Sequence, residues 1–170
     1  MLRYFVSRMP SRRSSQAGYS LIELVITVGM ILVVTTWALP SFLNYLRSAR
    51  VQAGARAVSA YLNEGRQLAI KTNGPVCVAH TTSTLQFRST TCGGTAIAVT
   101  GLANASSSVR LPDNITLSVT SGTSAVFQAL GNAAGTTYTV TDVPSGRTLR
   151  VIVAPSGRVC LAPPTATACP

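Results

Sequence analysis

An apolar run over residues 19–39 constrains the fold of this chain more than any other sequence feature. The run has 21 residues, most of them Leu, Ile, Val, Met, Ala or Trp, and Glu23 is its only charged residue. A helix of that length spans roughly 30 Å, the thickness of the hydrocarbon core of a bilayer. The sequence therefore predicts a transmembrane helix over residues 19–39.

The segment that precedes this run is basic and serine-rich, without an apolar core of its own. A secretory signal peptide carries its apolar stretch inside the part that is removed, whereas here the apolar run follows. Four arginines lie within residues 1–18, and positive charge on that side favours a cytoplasmic N-terminus. Arg47 and Arg50, beyond the run, weaken this bias without reversing it.

Two residues are unusual for a plain membrane anchor. Glu23 places a carboxylate about one turn inside the apolar run, where a charge is costly and usually serves a purpose. Pro40 removes a helical hydrogen bond and favours a bend at the end of the run. Each has a simpler explanation taken singly, because Glu23 can reach the interfacial layer and Pro40 can mark the end of the span.

Together, these features resemble a known processing site. Residues 18–23 read GYSLIE, and this segment is similar to the cleavage site of type IV prepilins and type II secretion pseudopilins. There a basic leader ends in glycine, an aromatic residue follows, and the fifth residue after the cut is glutamate. The resemblance implies cleavage after Gly18 by a prepilin peptidase, N-methylation of Tyr19, and residence in the inner membrane with a periplasmic domain before entry into a pilus or pseudopilus.

The same resemblance gives Glu23 a role in assembly. Cleavage creates a cationic amine on Tyr19, and the Glu23 carboxylate of one subunit can meet the amine of its neighbour in an apolar filament core. Because an unpaired buried charge is costly, a subunit out of register is penalised more than the pair itself stabilises. The implied partners are other pilins or pseudopilins, which associate through the N-terminal helix.

A helical pattern resumes after Pro40, and its apolar face is Val51, Ala55, Val58, Leu62, Gly65 and Ala69. We expect the helix to end within residues 71–75, where Asn73 and Gly74 precede Pro75. Beyond it, short segments rich in Val, Ile and Thr predict strands over residues 76–80, 85–88, 97–99, 115–119, 125–129, 136–141, 148–154 and 158–161. Residues 101–108 are expected to be a loop.

The expected fold class is therefore α+β and pilin-like: a long N-terminal α-helix, apolar in its first half, packed on a C-terminal β-sheet-rich domain. The boundaries are a cleaved leader over residues 1–18, the helix over 19–73 and the globular domain over 74–170. The order of RQLA at residues 66–69, VF at 126–127, LG at 130–131 and RVIVAPSGRV at 150–159 resembles the GspH/FimT family of minor pilins and pseudopilins. That likeness covers roughly residues 18–161.

The chain has four cysteines, Cys77, Cys92, Cys160 and Cys169, all of them after the apolar run. An even number in an exported domain favours two disulfides. Pairing of neighbours, Cys77 with Cys92 and Cys160 with Cys169, is the simplest of three connectivities. With one histidine and no closely spaced cysteine pair, the sequence predicts neither a metal site nor a cofactor.

Positive charge points to a polyanionic partner. The formal net charge is +10, and removal of the leader leaves ten basic against four acidic side chains. The resemblance to FimT-type members implies binding of double-stranded DNA during uptake, through a Gly-Arg-x-Arg feature that this chain matches at Gly157 and Arg158 but not at Cys160. The candidate DNA-binding residues are Arg147, Arg150, Arg158, Arg88 and Arg110. The alternative is that these arginines are solvated and protect strand edges.

Catalysis is not expected. Asp113 and Asp142 lie far apart in turn-like contexts, and His80 has no nucleophile and orienting partner around it in the sequence. The sequence therefore predicts a minor type IV pilin that enters or primes a pilus. Three alternatives stay open: a minor pseudopilin of a type II secretion system, a major pilin, and a membrane-anchored binding domain that is never processed.

Overall fold

The computed structural model of the chain describes residues 20–99 and 108–169. It contains one helix and eight strands. The helix α1 spans Leu21–Thr72. The strands are β1 (Val76–His80), β2 (Thr84–Ser89), β3 (Ser108–Arg110), β4 (Ile115–Ser121), β5 (Val126–Phe127), β6 (Thr136–Asp142), β7 (Arg147–Val153) and β8 (Val159–Ala162). The chain divides into two compact units between Ser41 and Phe42, and α1 is continuous across this boundary.

The described part of the first unit is the apolar part of α1, and its large apolar side chains are exposed from Leu21 to Leu39. This part of the helix is long and apolar enough to cross a membrane. The hydroxyl groups of Thr27, Thr35 and Thr36 donate hydrogen bonds to carbonyl oxygens of the preceding turn. The helix therefore satisfies these polar groups internally, as a segment in lipid must.

In the second unit, α1 buries one face against the β-domain. The predicted face is confirmed, since Val51, Ala55, Val58, Leu62, Gly65 and Ala69 are all buried, and Gly54 joins them. A methyl group on Gly65 would lie 2.7 Å from a Val78 methyl carbon, so the helix approaches the sheet where it has no side chain.

The helix ends where the sequence predicts. Asn73 adopts a left-handed conformation with φ of 47°. Its N–H donates to Ile70 O, and the N–H of Gly74 donates to Ala69 O, each at 3.2 Å. This pattern is a Schellman motif, in which two of the last helical carbonyls are satisfied and Asn73, rather than Gly74, takes the left-handed position.

The strands form two antiparallel four-stranded sheets, in the orders β3-β2-β1-β5 and β4-β6-β7-β8. Alternating residues of the longer strands face a common core that includes the buried face of α1. The largest fully buried side chains are Tyr138, Phe127 and Leu62. The α+β, pilin-like fold class is therefore confirmed.

One sequence-based expectation about strands is wrong. Residues 97–99 are not a strand, and only Ala96 forms an isolated bridge, with Arg88. Of the expected loop over residues 101–108, residues 101–107 lie outside the described residues, and Ser108 begins β3, which pairs with β2 through Val109 and Leu85. Both segments are short, and a three-residue edge strand leaves almost no periodic signal in a sequence.

Both pairs of neighbouring cysteines are joined. Cys77 bonds to Cys92 with a Cα–Cα distance of 5.1 Å, and Cys160 bonds to Cys169 at 5.8 Å. The second disulfide fixes a tail that crosses the outer side of β7. There Arg150 Nη1 donates to Ala166 O at 2.8 Å, and Cys169 Sγ lies 3.7 Å from Ile152 O.

Candidate functional site

The residues predicted for processing lie at the start of the chain. Gly18 and Tyr19 are outside the described residues, so the cut after Gly18 and the methylation of Tyr19 stay predictions. Glu23 lies in the first turn of α1, exposed among exposed apolar neighbours. A carboxylate is favourable there because the N-terminus of a helix carries a partial positive charge.

The arginines predicted to bind DNA do not form one cluster. Arg147 begins β7, whereas Arg158 lies in the turn after the strand, at its opposite end. The guanidinium of Arg147 donates to the hydroxyl of Ser48 on α1. Arg150 is half-buried and holds the tail through Ala166, so its guanidinium is partly occupied.

Arg88 and Arg110 belong to the other sheet. Arg88 Nε donates to Gln86 Oε1 at 3.0 Å, and its Nη1 lies 3.4 Å from Gly94 O. Arg110 is exposed at the end of β3. Of the five candidates, Arg158, Arg110 and Arg147 are thus the exposed ones, and they lie in different places: in the turn before β8, at the end of β3 and at the start of β7.

No sequence pattern pointed to Arg66, which contacts two distant parts of the domain. Arg66 is half-buried on α1, and its Nε donates to Gly131 O at 2.9 Å while Nη2 lies 3.5 Å from Ser156 O. It therefore connects the helix to the loop before β6 and to the turn that carries Arg158. The available signal was that Arg66 is a charged residue next to the predicted apolar face of the helix. Its partners, Gly131 and Ser156, lie 65 and 90 residues away in the sequence, so no local pattern identifies them.

Asp142 and His80 both make local hydrogen-bond contacts. The backbone oxygen of Asp142 accepts hydrogen bonds from the N–H groups of Ser145 and Gly146, which closes the β6–β7 turn. Its carboxylate is buried and accepts a hydrogen bond from the Ser145 hydroxyl. His80 Nδ1 lies 3.0 Å from Ser124 Oγ, and burial lowers the pKa of the imidazole. Within residues 20–99 and 108–169, no three metal-binding side chains come together.

A continuous helix with an exposed apolar N-terminal half, joined to an antiparallel β-domain, defines the class of pilin-like subunits. The profile of the family described as type II transport protein GspH matches residues 54–157. The chain belongs to this family, and it is a minor pilin or pseudopilin.

Solved structures show the same fold. The minor pseudopilin EpsH from the type 2 secretion system of Vibrio cholerae matches with a TM-score of 0.56 and 17% identity, covering 69% of this chain and 99% of that one. The type IV minor pilin FimU of Pseudomonas aeruginosa gives 0.54 and 15%, covering 70% and 92%. GspH of E. coli gives 0.55 and 14%, covering 70% and 92%. No curated protein sequence matches the chain.

Proposed function

We propose that this chain is a minor pilin that is cut after Gly18 by a prepilin peptidase and enters a type IV pilus through α1. The observation that carries the proposal is a single helix, Leu21–Thr72, that leaves its apolar half exposed and buries its other half in a GspH-family domain. Before assembly the apolar half anchors the subunit in the inner membrane, with its N-terminus cytoplasmic and its domain periplasmic.

Glu23 then selects the register of assembly. After the cut, the amine of Tyr19 is the nearest new cation, and it lies four residues before Glu23. In an apolar filament core the carboxylate needs a cation from a neighbouring subunit, because leaving one buried charge unpaired costs several kcal/mol, roughly 3–5. The exposure of Glu23 on an otherwise apolar surface supports this role.

The test combines processing with assembly. The full chain is expressed with a prepilin peptidase, and its N-terminus is sequenced. We expect Tyr19 as the first residue, carrying one methyl group. The variant Glu23→Gln is expected to reach the membrane but to be lost from sheared filaments, whereas Glu64→Gln is expected to assemble normally. An N-terminus before Tyr19 would refute the proposal, as would normal assembly of Glu23→Gln.

The second candidate function is that of a minor pseudopilin in a type II secretion system. It is favoured by the description of the family. The similarity to EpsH and GspH equals the similarity to FimU within a few hundredths of TM-score, so the solved structures do not distinguish the two functions. Deletion of the gene distinguishes the two functions. Loss of surface pili would support the pilus subunit, and loss of protein secretion with normal pili would support the pseudopilin.

We further propose that the domain binds double-stranded DNA, supported by the excess of basic side chains and by the exposure of Arg158 and Arg110. Contacts to phosphates give affinity without base recognition and weaken steeply with salt. Because Arg150 is engaged with Ala166, Arg158→Gln should reduce binding more than Arg150→Gln.

A gel-shift series with the full chain in detergent tests this prediction. The triple variant R147Q/R150Q/R158Q is expected to lose the shift at low salt. Each phosphate contact removed should make the negative slope of log affinity against log salt shallower by about 0.9. Arg56→Gln, on the exposed side of α1, is the matched control and should bind normally. A shift that survives the triple substitution would exclude these arginines.

A further inference from the structure

Leu130 is the most exposed large apolar side chain in the described part of the chain. It is 90% exposed, more than Trp37, at 82%, in the apolar part of α1. It belongs to the segment between β5 and β6, immediately before Gly131. A single exposed leucine is ordinary on a protein surface, so its surroundings decide whether it belongs to a binding site.

The turn that carries Leu130 is closed by hydrogen bonds and joined to α1. The N–H of Gly131 donates to Gln128 O, and the N–H of Gln128 donates to Asn132 O, each at 2.8 Å. From the helix, Arg66 Nε donates to Gly131 O at 2.9 Å. The leucine is therefore presented from a fixed turn, and little conformational freedom remains to be lost when a partner binds.

Ile70 extends this apolar surface from the helix. A Cβ placed on Gly131 would lie 2.9 Å from Ile70 Cδ1, so the isoleucine side chain packs against the backbone next to Leu130. Ile70 is still 51% exposed in spite of that contact. The two exposed apolar side chains thus lie at the same turn, and one partner can cover both.

Two guanidinium groups lie beside these apolar side chains. A Cβ placed on Gly157 would clash with Gly131 O and would lie 3.1 Å from Arg66 Nε, so the turn before β8 packs on the turn that carries Leu130, beside Arg66. Arg158 follows Gly157, is exposed, and its side chain makes no hydrogen bond within the described residues. We name Leu130, Ile70, Arg66 and Arg158 the Leu130 patch.

No carboxylate balances the charge of the Leu130 patch. The sequence has four acidic residues, which are Glu23, Glu64, Asp113 and Asp142. Glu23 belongs to the first unit, and Glu64 precedes Arg66 by two residues, which places it about 160° around the helix. Asp142 and Asp113 lie at the opposite end of the second sheet from Arg158, because Asp142 pairs with Arg147 at the start of β7 and with Ile115 at the start of β4. The Leu130 patch is therefore apolar at its centre and positive at its edge.

We propose that the Leu130 patch binds a different subunit of the filament, whose surface presents an apolar pocket with carboxylates at its rim. This inference rests on the proposed entry of the chain into a filament. Charge complementarity identifies the occupant, because an apolar centre flanked by cations favours a partner with carboxylates around an apolar pocket. A second copy of the chain fits poorly, since Asp113 and the half-buried Glu64 are the only carboxylates that its second unit exposes. Duplex DNA would contact the arginines and leave Leu130 without a role.

The first experiment measures incorporation of the full chain in cells that assemble filaments. Leu130→Ser should be processed and should unfold at the same temperature as the parent, because the side chain is exposed. Its amount in sheared filaments should fall about tenfold or more, as expected when an apolar residue at the centre of an interface is lost. Val143→Ser changes a 59% exposed residue in the β6–β7 turn and is the matched control, expected to assemble like the parent. Normal incorporation of Leu130→Ser overturns the inference.

The second experiment identifies the partner by photocross-linking from position 130. Leu130 is replaced by benzoylphenylalanine in the full chain, and the cross-linked peptide is sequenced. We expect one main adduct, with another filament subunit, joined in a segment that contains Asp or Glu. Arg158→Glu should lower its yield about tenfold, and Arg158→Lys, which keeps the charge, should lower it less. An adduct between two copies of the chain, an adduct lost on nuclease treatment, or a yield indifferent to Arg158→Glu overturns the inference.

The same cells separate this inference from the filament proposal. If the parent chain enters filaments, Glu23→Gln is lost from them and Leu130→Ser enters like the parent, only the Leu130 patch is overturned. If the parent chain is processed but never reaches sheared filaments, the filament proposal fails and the inference fails with it. If Glu23→Gln and Leu130→Ser are both lost while Val143→Ser assembles, both are supported.

Discussion

At the scale of single residues, Tyr138 combines apolar burial with one polar bond. Its ring is fully buried and meets the His80 ring edge-on, with centroids 5.5 Å apart. Its hydroxyl accepts a hydrogen bond from the N–H of Ala125 at 2.7 Å, inside the core. An unmade bond at that position would leave a buried donor without a partner, at a cost of about 1–3 kcal/mol.

Burial also makes Tyr138 a source of alkaline instability. It raises the pKa of the phenol from 10.0 to about 12. Between these values the unfolded chain loses the proton while the folded chain keeps it, so stability is lost as pH rises from 10 to 12. We expect a loss of about 2–3 kcal/mol over that range, measured by urea unfolding in detergent. Tyr138→Phe should be less stable at pH 8 but should lack this particular slope, and an unchanged slope would contradict the assignment.

Two glycines with positive φ make a matched pair. Gly157 has φ of 75°, and a methyl group there would lie 1.7 Å from Gly131 O. Gly146 has φ of 65°, with open space around it. We expect Gly157→Ala to lower the free energy of unfolding by about 3 kcal/mol, because backbone must move, and Gly146→Ala by about 1 kcal/mol. Equal losses in thermal unfolding would show that close packing at Gly157 is unimportant.

At the scale of elements, the helix was predictable and the edges of the sheets were not. The spacing of apolar residues identified six of the seven buried positions of α1, because one periodic face must pack on something. Gly54 was missed although Gly65 was included; it lies three residues after Val51 and four before Val58, so the same spacing places it on the buried face. The longer strands β1, β4, β6 and β7 follow the predicted segments to within two residues. The short β3 depends on pairing with β2, which no local pattern records.

The C-terminal tail, residues 163–169, is held in place by one disulfide and few other contacts. Replacing Cys160 and Cys169 by serine should lower stability by about 2–3 kcal/mol, as expected for opening a short loop. It should also release the tail from β7, where Arg150 and Ile152 now contact it. Limited proteolysis is expected to cut residues 163–169 in the variant and to spare them in the parent. Equal resistance would show that the hydrogen bond to Ala166 suffices.

At the scale of the whole molecule, the fold and the family were predictable from the sequence, whereas the positions of the candidate arginines in the structure were not. The N-terminal motif and the later segments led to the GspH family, which the profile match over residues 54–157 confirms. The candidate arginines looked like one cluster because Arg147, Arg150 and Arg158 are close in sequence. The two ends of a seven-residue strand lie roughly 20 Å apart. Arg147 begins β7 and Arg158 lies in the turn that follows it, so the two arginines have different surroundings.

One continuous helix also determines how the molecule bears load. If the apolar end is pulled, the tension passes along the hydrogen bonds of successive turns of α1 and reaches the domain as shear across the face from Val51 to Ala69. Pro40 lacks one of those bonds and is the most compliant point in the series. For a given displacement of the apolar end, extension at Pro40 therefore lowers the load that reaches the packed face.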